Sequence, residues 1–243
     1  MKPFLLLATR AEDAAADGEY SAMLRFGGLS PRELLRVRLE AAPLPGLDLD
    51  DYSGIIVGGS PFTTSVPPEE KSDVQLRVEA ELAALLDDVV ARDLPFLGAC
   101  YGVGTLGVHT GGVVDATYAE PVGAVPITLT AAGRADPLFG GLPPVFDAFV
   151  GHKEAISTPP PDAVVLASSP GCPVQAFRVK QNLYATQFHP ELDVPGIEVR
   201  IDVYRNAGYF APDEVEDLLT RVRRADVTPA LGLLPAFVRR YAR

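Results

Sequence analysis

Short apolar runs of strand length recur along the chain, separated by glycine-rich or polar segments. Phe4–Ala8, Gly54–Val57 and residues 94–97 are uninterrupted, which is typical of strands that are buried on both faces of a sheet. Residues 68–92, between the second and third runs, follow a helical period instead. The apolar positions of this stripe are Val74, Val78, Leu82, Leu85, Leu86 and Val89. This order of strand, helix and strand predicts a parallel βαβ unit.

Two other segments of the first half have patterns of their own. Residues 35–39 alternate apolar and charged side chains, which predicts a strand with one face in water. Residues 20–26 predict a short helix that ends at the glycine pair 27–28, and the acidic, alanine-rich residues 10–17 are interpreted as a loop.

The second half predicts shorter strands and then helices. We expect strands at 113–118, 122–130, 145–150 and 164–167, and a hairpin formed by 174–179 and 183–188. Residues 197–243 predict three helical pieces, among them 213–224 and 235–241. Because a hairpin introduces antiparallel pairing, we expect an α/β fold with a largely parallel, mixed-edge sheet and helices on both faces, flavodoxin-like at its centre.

Composition narrows the class of protein. A chain of 243 residues that is 47% apolar suits a single domain over 1–243, with a core of about 1–195 and a helical extension over about 196–243. A net charge of −11 argues against nucleic acid or an anionic membrane as partners. Two cysteines do not make a disulfide framework and fit a reducing cytoplasm. No apolar run approaches the length of a signal peptide or a membrane span.

Residues 98–102 read Gly-Ala-Cys-Tyr-Gly directly after a buried strand. This G-x-C-x-G sequence has the form of a nucleophile elbow with cysteine in place of serine. The turn would set Cys100 at the N-terminus of a helix over 101–111, where the helix dipole favours thiolate over thiol. The same helix end offers the N–H of Tyr101 to an oxyanion. By itself, the motif also fits a buried structural cysteine in a glycine-rich turn.

A partner for Cys100 occurs in Gln187-Phe188-His189-Pro190-Glu191. His189 is a candidate base for Cys100, and Glu191 is a candidate to orient the imidazole, because residues i and i+2 of an extended segment point the same way. A third segment, Gly58-Gly59-Ser60, follows a buried strand and leaves backbone N–H groups available to a ligand.

Together these three motifs, in their order along the chain, resemble a class I (triad-type) glutamine amidotransferase. The likeness is closer to free-standing domains similar to the glutaminase half of GMP synthase, and it covers about residues 50–195. The resemblance implies that Cys100 is the nucleophile, His189 the base and Glu191 the orienting acid. It also implies an oxyanion hole formed by the N–H groups of Gly59 and Tyr101.

One departure from the family pattern concerns the substrate. The family typically reads G-x-C-x-G-x-Q, and its glutamine helps to hold the substrate, whereas this chain has Gly104. Gly58, Ser60, Gly104, His152 and Gln187 are the candidate substrate-binding residues. His152 is also the only rival for the role of base, and a surface position is its third interpretation.

Three hypotheses for the function follow. The first is hydrolysis of the glutamine side-chain amide, with the ammonia used by a synthetase or other acceptor on a separate partner. The second keeps the chemistry but acts on γ-glutamyl peptides or related compounds, since Gly104 leaves room where the family has a side chain. The third is a non-catalytic binding domain. None of the three requires a cofactor or a metal.

Overall fold

The computed structural model describes residues 1–243, apart from the side chain of Pro212. Its strands are β1 Phe4–Ala8, β2 Leu34–Arg38, β3 Gly54–Val57, β4 Phe96–Ala99, β5 Val113–Asp115, β6 Glu120–Leu129, β7 Val145–His152, β8 Ala155–Thr158, β9 Val164–Ser168, β10 Ala176–Val179 and β11 Leu183–Thr186. Its α-helices are α1 Asp13–Gly27, α2 Asp73–Arg92, α3 Tyr101–His109, α4 Ala131–Ala135, α5 Val194–Val203, α6 Val215–Val222 and α7 Leu233–Tyr241.

Nine strands form one sheet in the order β2-β1-β3-β4-β11-β10-β9-β6-β7, and β5 pairs with β8 in a small second sheet. The first five strands run parallel, while every pairing from β11 to β7 is antiparallel. The expected α/β fold with a mixed-edge sheet is confirmed. The parallel half brings the carboxyl ends of β3, β4 and β11 side by side, which is where ligands bind in such sheets.

Alternation along β1 shows how the two faces of the sheet are covered. Phe4 and Leu6 pack into a core that includes α1 and α7, whereas Leu5 and Leu7 pack against α2 and α3 on the opposite face. A third cluster joins α5 and α6 to Phe149 of β7. Helices therefore lie on both faces, and the C-terminal helices contribute to two of the three clusters.

The first helix is longer than the sequence pattern indicated. The prediction of a loop over 10–17 was wrong, because α1 begins at Asp13 and buries Ala15, Ala16 and Glu19. Alanine is a strong helix former, so the acidic and alanine-rich composition suits an exposed first turn. The predicted end is confirmed by Gly28, which has φ 64° and closes the helix.

Several other boundaries shift by a few residues. Helix α2 begins at Asp73 rather than at residue 68, since the Ser72 hydroxyl caps it by accepting from the Gln75 N–H. Strand β5 ends at Asp115, and β6 already begins at Glu120, where a turn was expected. Helix α5 begins at Val194, three residues before the expected helical region, because Asp193 caps it.

Candidate active site

Cys100 lies in the tight turn between β4 and α3. Its backbone has φ 53° and ψ −89°, an uncommon conformation for a residue other than glycine. A Cβ on Gly98 would lie 2.7 Å from the carbonyl group of Gly102, so the turn excludes a side chain at residue 98. The Cys100 N–H donates to Thr186 O at 2.7 Å, which ties the turn to β11. The structure therefore has the tight strand-to-helix turn that the G-x-C-x-G sequence predicts.

His189 and Glu191 follow β11 and are both buried. His189 Nδ1 lies 2.8 Å from Glu191 Oε1, and the backbone N–H of His189 donates to Phe149 O. His189 and Cys100 line the same cavity, and Gln187 Nε2 lies 3.9 Å from Cys100 Sγ. The structure thus brings together at the ends of β4 and β11 the three residues expected to form a triad.

A buried ionic network surrounds the carboxylate of Glu191. Arg200 Nη2 donates to Glu191 Oε1 at 2.7 Å and lies 3.3 Å from Glu19 Oε1. Arg10 Nε also donates to Glu19, at 3.1 Å, and Arg10 Nη1 donates to the Tyr204 hydroxyl. Two guanidinium groups and two carboxylates in contact satisfy the rule that buried charges are paired.

Sequence reasoning missed this network. Arg10 and Glu19 lie in and next to segments that were interpreted as loop and short helix, and Arg200 and Tyr204 lie on α5 or directly after it. No motif links these positions, because only tertiary packing of α1 and α5 brings them together. The one available signal was Arg10 shortly after a fully buried strand.

The thiol of Cys100 is less acidic than its place at a helix end suggested. Burial raises the pKa of Cys100 to about 11, and the nearby guanidinium groups of Arg10 and Arg200 offset this only in part. The expectation that the helix dipole favours the thiolate is therefore corrected, since removal from water disfavours the charged form more strongly. The thiol form of Cys100 is therefore favoured, and attack by its sulfur would need a base.

His189 has the protonation state that a base requires. Burial lowers the pKa of His189, and Arg200, whose Nη1 lies 3.0 Å from His189 Nδ1, lowers it further. Burial by itself would raise the pKa of Glu191, but His189 and Arg200 together bring it well below its ordinary value. An ionised Glu191 accepts from Nδ1–H, so Nε2 keeps the lone pair that accepts a proton.

The expected oxyanion hole is only half available in this structure. The Gly59 N–H donates to Glu19 Oε1 at 3.1 Å, so it is not free to face an oxyanion in this conformation, and its role in the oxyanion hole stays a prediction. The physical reason is that the buried Glu19 carboxylate lacks water and takes the nearest donor. Tyr101 is the first residue of α3, so the helix provides no acceptor for its N–H. A Cβ on residue 59 would lie 2.8 Å from His189 Cε1, so glycine there allows the imidazole its position.

Cys100 lines a polar cavity, and most of the candidate substrate-binding residues are also part of its lining. Its lining includes Ser60, Tyr101, Gly104, His152, Lys153, Glu154 and Gln187. Gly58 lies outside this lining and packs against Glu19, whose Oε2 would be 2.5 Å from a Cβ at residue 58. Ser60 uses its hydroxyl to accept from the Phe62 N–H at 3.0 Å.

His152 is neither a surface residue nor a base for Cys100. It is 5% exposed, its Nε2 lies 2.9 Å from Glu120 Oε2, and its Nδ1 lies 2.9 Å from Glu154 O. Both ring nitrogens are therefore occupied, which excludes the surface interpretation and the rival for the role of His189. A substrate contact stays a prediction.

Gly104 does not leave empty space. A Cβ there would lie 2.9 Å from Thr64 Oγ1 and 3.7 Å from Glu154 Oε1. The Glu154 carboxylate is itself held by the N–H groups of Thr64 and Ser65 at 2.6 and 2.7 Å. The inference of extra room is corrected, because a loop and an acidic side chain fill the position where the family has glutamine.

Cys100 also lines a second, apolar cavity, and His189 is part of its lining. Its empty space is about 460 Å³, including its mouth. Its apolar and aromatic lining consists of Val122, Val150, Leu192, Ile197, Ile201, Tyr204, Tyr209 and Phe210. No motif in the sequence indicated this second cavity, since it forms where α5 and the segment after it pack over β6 and β7.

Residues outside the site agree with simpler roles. Cys172 is fully buried and its thiol donates to Val174 O at 3.5 Å, so only Cys100 is a partly exposed thiol. His109 lies at the far end of α3, where its Nε2 is 3.5 Å from Asp87 Oδ1.

Among the described residues, no set of three or more His, Cys, Asp and Glu is arranged to hold a metal ion. In the same part of the chain, none of the helices combines the length and the apolar character that crossing a membrane requires.

Comparison with known proteins agrees with this geometry. The family model described as "Glutamine amidotransferase class-I" matches residues 34–195. A GMP synthase [glutamine-hydrolyzing] of Lactococcus lactis is 33% identical over 140 residues, which are 57% of this chain and 24% of that protein. One subunit of a GMP synthase [glutamine-hydrolyzing] of Thermoplasma acidophilum is 31% identical over 162 residues, which are 65% of this chain and 72% of that polypeptide. The matched segment thus spans about a quarter of the length of the bacterial GMP synthase.

Solved structures match the whole chain. A glutamine amidotransferase from Thermotoga maritima superimposes with a TM-score of 0.79 at 20% identity and covers 99% of this chain and 98% of its own. One from Methylobacillus flagellatus gives a TM-score of 0.74 at 21% identity, with 100% and 96% covered. At such identities these structures show a shared fold, whereas the family match spans most of the chain and contains all three motifs. The chain therefore belongs to the class I glutamine amidotransferases.

Proposed function

We propose that the chain hydrolyses the side-chain amide of glutamine through a thioester on Cys100. The observation that supports this most strongly is that Cys100 and His189 line one cavity, with a strained turn under the thiol and the buried Glu191 carboxylate 2.8 Å from His189 Nδ1. Such a set is the generalised nucleophile, base and orienting acid of covalent catalysis. A non-catalytic domain would have no need to bury a paired His189 and Glu191 beside a cysteine.

The proposed reaction begins with transfer of the Cys100 proton to His189 Nε2 as the sulfur attacks the amide carbon. The carbonyl oxygen becomes an oxyanion and accepts from the Tyr101 N–H. His189 then gives its proton to the departing ammonia, and the C–N bond breaks to leave a glutamyl thioester. Water adds to the thioester with His189 as base, which releases glutamate and restores the thiol. Glu191 holds Nδ1–H throughout and stabilises the imidazolium.

The oxyanion hole needs a second donor, and Gly59 is the residue expected to supply it. Its N–H turns toward the oxyanion only when the hydrogen bond to Glu19 opens. We therefore propose that substrate or a partner protein drives this change. A donor in such a site is worth about 3 kcal/mol of barrier, so the change would separate a slow form from a fast form of the enzyme.

We further propose that the ammonia is used by an acceptor enzyme on a separate chain. The Thermoplasma relative is named as one subunit of a GMP synthase, and the match covers most of its length. A synthetase that docks over the mouth of the cavity is the partner this suggests. Two unpaired thiols and an acidic surface fit a cytoplasmic protein, and we propose that location.

A second candidate function, γ-glutamyl amide or peptide hydrolysis, is favoured by the apolar cavity beside His189. Ammonia is too small and too polar to need such a cavity, whereas a larger leaving amine would fill it. The glutamyl part would occupy the polar cavity in both reactions. The two functions therefore differ only in the group that His189 protonates.

Covalent labelling tests the proposed chemistry. A diazoketone analogue of glutamine is expected to add once per chain, at Cys100, and excess glutamine is expected to protect the thiol. The Cys172→Ser variant serves as control and should label like the wild type, because Cys172 is buried. His189→Ala should label far more slowly. Folded protein that does not react, or that reacts equally in the presence of glutamine, would contradict the proposal.

A further inference from the structure

The apolar cavity beside His189 has a position that suits the leaving group of the reaction. We propose that it binds an apolar substituent on the leaving amine, so that the preferred substrates are γ-glutamyl amides of apolar amines. This inference rests on the proposed thioester chemistry and names the substrate class for it. It assigns a binding role to the residues of α5, β6 and β7 that line the cavity.

The positions of the two catalytic partners of Cys100 decide which cavity holds which part of the substrate. Cys100 lines both cavities, but Tyr101 lines only the polar one and His189 only the apolar one. The carbonyl oxygen has to face the Tyr101 N–H, and the departing nitrogen has to face His189 Nε2. Any substituent on that nitrogen therefore extends into the apolar cavity, while the glutamyl part lies in the polar cavity.

The side chains that line the cavity indicate which kind of substituent it can bind. Three of its apolar side chains, Leu192, Ile197 and Ile201, are at least 95% buried. The two cations in the lining, Arg10 and Arg200, are paired with Glu19 and with Glu191, so the cavity offers no uncompensated positive charge. Such a surface stabilises an uncharged apolar group and gives no counter-ion to the carboxylate of a departing amino acid.

The cavity is small and open to the outside. Its enclosed volume is about 40 Å³, which is room for about three water molecules or a short alkyl group, and the figure of about 460 Å³ includes the open mouth. Ser60, Cys100, Gly151 and Tyr209 line both this cavity and the polar one. If the leaving group were ammonia, the apolar lining would stay in contact with water. Each methylene that replaces this water is expected to strengthen transition-state binding.

The reaction is balanced for this class of substrate. The Cys100 sulfur bonds to the γ-carbonyl carbon, the bond from that carbon to the amine nitrogen breaks, and the proton first taken from the thiol passes from His189 to the amine. Water then cleaves the thioester, and its two hydrogens end on the thiol and on the glutamate carboxyl group. Apart from this water molecule, no oxidant, cofactor or second substrate is consumed.

A series of γ-glutamyl n-alkylamides, from methyl to pentyl, tests the inference beside glutamine. We expect kcat/KM for glutamate release to rise about fourfold with each methylene until the cavity is full. γ-Glutamylleucine and γ-glutamylisopentylamide are a matched pair, since they differ only in the carboxylate of the leaving group. The isopentylamide is expected to be the better substrate by at least about tenfold.

Variants of the lining residues test whether the preference for longer alkyl groups arises in this cavity. Ile201→Ala and Phe210→Ala are each expected to lower the ratio of kcat/KM for pentylamide to methylamide by about tenfold. Val199→Ala is the matched control, because Val199 lies on the same helix as Ile201 but is 42% exposed, and the ratio should not change. Phe210 is only half-buried, so its variant keeps the test valid if Ile201→Ala fails to fold.

The outcomes separate this inference from the proposed function. Release from glutamine that exceeds release from every alkylamide would overturn the inference and leave the glutaminase intact. Preference for γ-glutamylleucine over the isopentylamide would overturn it as well, since the cavity would then accept a charge. No release from any γ-glutamyl compound would overturn both. A ratio that falls equally in Val199→Ala would contradict the assignment of the lining.

Discussion

At the scale of single residues, the proposed chemistry depends on a thiol and an imidazole that are both uncharged at rest. Burial raises the pKa of Cys100 and lowers that of His189, so each group resists the charged form in the absence of substrate. These two directions favour a neutral pair at rest over a thiolate–imidazolium pair. In the proposed reaction, proton transfer from sulfur to Nε2 belongs to the attack step, where substrate replaces water around the thiol.

The raised pKa of Cys100 predicts how its alkylation depends on pH. The ordinary cysteine pKa is 9.0 and burial raises that of Cys100 to about 11, so the thiolate fraction still increases above pH 9. With iodoacetamide, in the Cys172→Ser background, we expect the rate to rise through about pH 9 without reaching a plateau. A rate that levels off below about pH 8 would instead indicate a thiolate stabilised at neutral pH.

The sequence indicated the three expected triad residues better than the residues around them. Cys100, His189 and Glu191 each lie in a local motif that follows a strand, and these strands end at the same edge of the sheet. Glu19 carries no such mark, although its carboxylate takes the Gly59 N–H and pairs with two guanidinium groups. Contacts between residues far apart in the chain depend on packing, which a local pattern does not contain.

At the scale of elements, the elbow depends on close contact between the end of β4 and the start of α3. Gly98 and Gly102 meet so closely that a single methyl group would displace the backbone. The positive φ of Cys100 is sustained only while this contact and the hydrogen bond to Thr186 hold the turn.

Gly98→Ala is therefore expected to destabilise the fold by more than about 3 kcal/mol, because the added Cβ meets backbone that does not yield. Gly123→Ala in β6 is the matched control, since a Cβ there meets nothing within 4 Å. We expect the control to change the free energy of unfolding by less than about 0.5 kcal/mol. Urea unfolding followed by circular dichroism measures both, and equal effects would contradict the packing argument.

The elements themselves were predicted with uneven success. β1 and β3 have the expected bounds, and β4 begins two residues later than expected. Continuous apolar runs indicated all three, because strands buried on both faces need apolar residues throughout. The start of α1 was missed, since its first turn is exposed and has the composition of an acidic loop. The pattern along a chain reports burial, so exposed ends of elements give the weakest signal.

At the scale of the whole molecule, the C-terminal helices belong to the packing of the sheet. Helix α7 buries Leu233, Leu234, Phe237 and Val238 against the face that includes Phe4 of β1. Helix α5 places Arg200 in an ion pair with Glu191 and Ile201 in the lining of the apolar cavity. The division into a core of about 1–195 and an extension of about 196–243 stays a prediction, and these contacts give reason to test it.

Removal of residues 226–243 tests it directly. Four side chains of this size contribute about 1.5–3 kcal/mol each when buried, a sum comparable to the whole stability of a typical domain. We expect the shortened chain to lose its cooperative thermal transition in circular dichroism. Arg239→Ala, on the exposed side of the same helix, should melt like the full chain. A shortened chain that melts cooperatively at a similar temperature would show that α7 is dispensable.

The central claim is that Cys100 carries out amide hydrolysis, and glutamate release from glutamine tests it most directly. Wild type, Cys100→Ala and the matched Cys172→Ala variant would be compared at neutral pH, with folding checked by circular dichroism. We expect release by the wild type and by Cys172→Ala, and a rate for Cys100→Ala that is lower by at least about a thousandfold. Equal release by Cys100→Ala and the wild type would contradict the account.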